Sequence, residues 1–86
     1  MTTILVKHEW EKERDEPARK FFSDMVQASK SGKLPGGFTL VSAHLDKEAR
    51  AAFCVWQVPS LGAFAEVAKQ LNPPTKFQPY TVEKLA

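Results

Sequence analysis

A single cysteine, Cys54, stands in this chain of 86 residues. It has no intrachain partner for a disulfide, and CxxC-type zinc sites and iron–sulfur ligation within one chain are excluded. Long apolar runs are also missing. The longest is Ala51 to Trp56, six residues, against the roughly 20 that a membrane-spanning helix needs. The stretch Met1-Thr2-Thr3-Ile4-Leu5-Val6 has no basic segment and too little apolar length for a secretory signal. A cytoplasmic protein is therefore expected, without a membrane partner. No GxxxxGK, GxGxxG, GxSxG or HExxH occurs, so Gly36-Gly37 is not a phosphate loop. Charge of one sign is not concentrated. Lys7 to Lys20 holds ten charges, five of each sign, and reads as a solvated loop and helix face. Net charge is +2, and binding by counterion release needs clustered bases. No nucleic-acid partner is expected.

What remains is an ordinary globular composition, 43% hydrophobic and 26% charged. Residues 1–86 read as a single domain. A chain of 9.6 kDa should fold to an accessible surface of about 5,000 Å².

Thr3 to Trp10 alternates with a period of two, which predicts a strand with Ile4, Val6, His8 and Trp10 on one face. Asp15 is an expected N-cap, with Pro17 in the first turn. Ala18, Phe21, Phe22, Met25, Val26 and Ala28 then form a helical stripe, and Gly32 follows as the cap of a helix over 16–31. Leu34-Pro35-Gly36-Gly37 predicts a type II turn with Gly36 in the left-handed position. Phe38 to Leu45 and Ala51 to Val58 read as an antiparallel hairpin. Ser60 is the expected N-cap of a second helix, whose stripe is Leu61, Phe64, Ala65, Ala68 and Leu71. Asn72-Pro73-Pro74 ends it. Thr75 to Val82 is a last strand, which Pro79 confines to an edge or a bulge.

The order β-α-β-β-α-β is the split βαβ pattern of a ferredoxin-like plait. Right-handed crossovers give a four-stranded antiparallel sheet, order 4-1-3-2, with both helices on one face. This is an α+β fold. The two middle strands place apolar residues on both faces: Phe38 and Leu40 opposite Val41, Ala43 and Leu45, and Phe53 and Val55 opposite Cys54, Trp56 and Val58. Leaving three or four such side chains wet forfeits about 1.5–3 kcal/mol each. The expected solution is a homodimer with open faces packed together and helices outside. Lys7 and Glu9, on the other face of the first strand, would rim that contact.

The chain resembles the dimeric α+β barrel superfamily, through Ile4-Leu5-Val6, Ala52-Phe53-Cys54-Val55-Trp56 and Pro59-Ser60. Within it, the pattern is most similar to a small, poorly characterised group that includes nickel-binding and nickel-responsive proteins. The resemblance implies a homodimer and a ligand or metal site in the barrel. Other branches are cofactor-free monooxygenases, isomerases and stress-response proteins, so fold alone does not fix the chemistry.

Two histidines supply the candidate proton-transfer groups, His8 and His44. The plainer reading of His8 is a hydrogen-bonded or solvated side chain near a strand end. His44 and Asp46, at i and i+2, share a strand face and are candidate metal ligands. Cys54 joins them only if the hairpin register pairs His44 with Ala52 or Cys54; pairing with Phe53 puts the thiol on the other face. Such a set would suit Ni²⁺ or Zn²⁺, with further ligands from a second subunit. Otherwise Cys54 is a small buried hydrophobe. Trp10, Trp56 and Tyr80 are candidates for an aromatic ligand pocket, or ordinary core and interface packing. Three functions follow as expectations: a homodimer binding a metal ion or small organic ligand, a cofactor-independent monooxygenase or isomerase using a histidine, and an interaction module without a site.

Overall fold

A computed structural model describes residues Met1–Ala86. The elements are β1 (Thr2–Glu9), a 3-10 turn (Lys12–Arg14), α1 (Asp15–Lys30), β2 (Thr39–Asp46), β3 (Ala51–Val58), α2 (Leu61–Leu71) and β4 (Lys76–Thr81). The sheet order is β2-β3-β1-β4 with every neighbouring pair antiparallel. This is the expected 4-1-3-2 order read from the other edge. Pro79 sits on edge strand β4 opposite Val6, where a missing N–H costs no ladder bond. No helix is long and apolar enough to cross a membrane.

The helix-covered face of the sheet carries the core. Ile4, Val6, Ala52, Cys54, Trp56 and Val58 are buried there, against Ala18 and Phe22 of α1. Those two lie four residues apart on one side of the helix, as the apolar stripe requires. From α2, Ala68 is buried. Ser60 caps α2 as expected, its hydroxyl accepting from the Ala63 N–H at 3.0 Å. Asn72, at φ 46°, ends the helix in the left-handed conformation, a role asparagine tolerates.

Three local expectations are corrected. Asp15 does not cap α1. The residue ahead of that helix is Arg14, which makes no side-chain cap bond. Asp15 Oδ1 instead accepts from Trp10 Nε1 at 2.9 Å and Arg50 Nε at 3.1 Å. The indole bond above all, with Arg50 behind it, lowers its carboxyl pKa. The proline–glycine turn is displaced by one residue: Phe38 N–H donates to Pro35 O at 3.0 Å, and Gly37, not Gly36, takes the positive φ of 83°.

The third correction concerns β2. Its register against β3 shifts between Leu40 and Ser42. That irregularity brings Leu40, Ala43 and Leu45 opposite Trp56, Cys54 and Ala52, all on the helix side. The open side of β2 is left with Ser42, His44 and Asp46, opposite Val55, Phe53 and Ala51. The expectation of apolar residues on both faces therefore holds for β3 and fails for β2 beyond the shift, while Val41, at the shift itself, stays exposed. The open face keeps a narrower apolar stripe. Tyr80, Leu5 and Val55 lie side by side across β4, β1 and β3, with Phe53 in the next row. Lys7 and Glu9 flank it, ion-paired at 2.8 Å.

Candidate functional site

Helices α1 and α2 stand apart over the sheet, and the gap is an open cleft of about 380 Å³. This lies near the lower end of the roughly 300–1,000 Å³ typical of small-molecule sites. Its size follows from the stripes themselves. The inner positions include Ala28 on α1 and Ala68 on α2, and both line the cleft. Alanine brings no bulk to fill the interhelical space. The turn Leu34-Pro35 and Phe38 close one side, and Pro73 after α2 contributes to another. At the rim Leu71 stays 60% exposed although it belongs to the apolar stripe of α2.

The walls are aromatic. Phe21, Phe38, Trp56, Phe64 and Phe77 all line the cleft. Phe38 meets Trp56 edge-on with centroids 6.3 Å apart, and Phe64 meets Phe77 in the same way at 6.3 Å. Such edge-to-face pairs lock ring orientations and keep the walls in place.

His8 supplies the polar group of the floor. It is 4% exposed, on the third buried position of β1, with the Phe22 ring edge-on at 4.9 Å and Phe21 and Phe77 beside it. Its Nδ1 is 2.8 Å from Thr75 Oγ1. Burial pushes the imidazole pKa down to about 4, since an apolar surround disfavours the charged form. The ring is neutral at pH 7. No protein atom hydrogen-bonds Nε2, and the chain has no buried side-chain nitrogen or oxygen left unpartnered. Nε2 is thus the ring nitrogen left free of protein partners, on a residue that lines the cleft. The charged residues lining the cleft are Asp24 and Lys33.

The other expected site residues are dispersed. Trp56 lines the cleft, but Trp10 packs on Phe22 beyond it, with its N–H committed to Asp15. Tyr80 pairs with Leu5 on the opposite face of the sheet. The three do not form one pocket. His44 is exposed on the open face and pairs with Phe53, which is the register that separates it from Cys54. Asp46 is engaged in the β2–β3 loop, where its Oδ1 accepts from the N–H groups of Glu48 and Ala49, both at 3.1 Å. Cys54 lies in the core, and burial pushes its thiol pKa up to about 11. A protonated, buried thiol is a poor ligand and a poor nucleophile. No three His, Cys, Asp or Glu side chains are grouped to hold a metal ion. The donor set of one chain does not fit nickel or zinc.

Sequence reasoning placed Phe21, Phe64 and Phe77 in core stripes or strands and did not gather them with His8. The available signal was small residues at inner stripe positions, Ala28 and Ala68, flanked by phenylalanines. Comparison with protein families, with curated proteins and with solved structures finds no match to this chain.

Proposed function

We propose that this protein binds a small, largely apolar organic molecule in the cleft between α1 and α2. The observation that carries this reading is an aromatic-walled cavity with one hydrogen-bonding atom, His8 Nε2, on its floor. Sites of this kind bury an apolar ligand body and orient it through a few polar groups. The low pKa of His8 makes it a weak base at pH 7, which favours an orienting role over proton transfer. The binding test is titration with the uncharged probe naphthylmethanol, read by calorimetry. Saturable binding in the wild type that is lost in Ala28→Phe, with the fold retained by circular dichroism, supports the reading. Absence of binding, or binding unchanged by Ala28→Phe, contradicts it.

The open sheet face favours a homodimer beside this. The protomer exposes 6024 Å², while a compact chain of its mass exposes about 5,000 Å². A standard interface covers about 800 Å² on each partner, comparable to that excess. The stripe of Tyr80, Leu5, Val55 and Phe53 is its centre. Sedimentation equilibrium giving twice the chain mass in the wild type and a single chain in Val55→Lys supports a dimer through this face. A monomeric wild type at micromolar concentration contradicts it.

A further inference from the structure

The two charged residues of the cleft differ in how they are satisfied. Asp24 Oδ2 is 2.8 Å from Lys20 Nζ, one turn away on α1. Lys33 belongs to none of the three ion pairs of the chain. Its backbone is fixed at the cleft edge: Gly32 takes a φ of 70° after α1, and the Lys33 N–H then donates to Ala28 O at 2.9 Å. The left-handed residue turns the chain back across the helix end, as in a helix C-terminal motif. The mouth therefore offers one uncommitted cation and one carboxylate that is already paired.

The floor offers no charge. His8 is held to Thr75 and enclosed by phenyl rings, a surround that disfavours the charged imidazolium. An ionised group pushed down to it would lose its hydration without an opposite charge in return. A charged end on a ligand must stay at the mouth, with the apolar body inside. A cationic end would compete with Lys20 for Asp24, whereas an anionic end meets Lys33, which no carboxylate of the chain engages.

We propose that the natural ligand is an organic acid, seated with its apolar body among the phenylalanines of the cleft and its carboxylate on the Lys33 ammonium. This rests on the cleft being a binding site and names the chemical class it selects. The class is a monocarboxylate with an aromatic or branched apolar body, since Lys33 is the single uncommitted cation lining the cavity.

The test compares two probes of one shape, naphthoate and naphthylmethanol, by calorimetry at low ionic strength. The wild type should bind naphthoate more tightly by roughly two- to five-fold, the range of a solvent-exposed ion pair. Added salt should shrink that ratio. In Lys33→Gln the ratio should fall to about one, and in Lys33→Glu it should invert. Asp24→Asn should raise it, because a negative charge leaves the mouth and Lys20 is freed. Equal affinities in the wild type, or a ratio unchanged in Lys33→Gln, would overturn the assignment while leaving the cleft a binding site. Failure of both probes to bind would remove the cleft reading and this one with it.

Discussion

His8 and Thr75 lie 67 positions apart in the chain, and their side chains are 2.8 Å apart, Nδ1 to Oγ1. The contact ties the end of β1 to the residue just ahead of β4 and fixes the imidazole plane on the cleft floor. A buried polar atom that loses its partner costs about 1–3 kcal/mol, while removing both partners is far cheaper. Thr75→Val should therefore destabilise the fold by about 1–3 kcal/mol in urea unfolding. The pair His8→Phe/Thr75→Val should be less destabilised than the sum of the single changes, a coupling that a double-mutant cycle reads directly.

Stability should depend on pH through the same histidine. Its pKa is about 4 in the fold against an ordinary 6.5, so between these values the unfolded chain binds the extra proton. Stability thus rises with pH across that window and is complete above it. A shift of this size corresponds to roughly 3 kcal/mol. Urea midpoints should fall as the pH is lowered from about 6.5 toward 4, and His8→Phe should flatten this part of the profile.

Gly37 should tolerate no side chain. Its φ is 83°, and a Cβ placed there would sit 2.6 Å from Pro59 Cγ. Gly37→Ala should cost about 1–3 kcal/mol in thermal or urea unfolding, from backbone strain and the clash together. Gly36→Ala is the control: nothing lies within 4 Å of its Cβ position, and the change should be neutral or slightly stabilising.

Cys54 should be silent until the protein unfolds. It is buried, and its thiol pKa is raised to about 11. Thiol reagents at pH 8 should label the native protein at the rate of unfolding or local opening, and label it at once in denaturant. Fast labelling under native conditions would contradict its placement in the core.

The element order was legible because each signal is local. Period-two alternation, two helical stripes and the prolines after Leu71 act within a few residues, and Pro79 and the crossover rule both point β4 to an edge. Irregularities were not legible. The residues around the shift in β2, Leu40-Val41-Ser42-Ala43, mix apolar and small side chains, so no break in alternation marks it. Gly36 and Gly37 are equivalent as sequence, either can take a positive φ, and nothing within the turn itself says that it is Gly37. The same shift decides the site. It sends His44 and Asp46 to one face while Cys54 points to the other, and no property of the hairpin read alone sets that register. Nor does the sequence fix the distance between two helices. The cleft depends on that distance, and it appears only when Ala28, Ala68 and five aromatic rings are placed together.

Ligand binding in the cleft can be mapped by amide chemical shifts in an isotope-labelled sample titrated with naphthylmethanol. The shifts should concentrate on residues around the cleft, namely His8, Ala28, Leu34, Ala68 and Phe77, and saturate together. Shifts concentrated on Leu5, Phe53, Val55 and Tyr80, or no saturable shifts at all, would place recognition elsewhere and contradict the account.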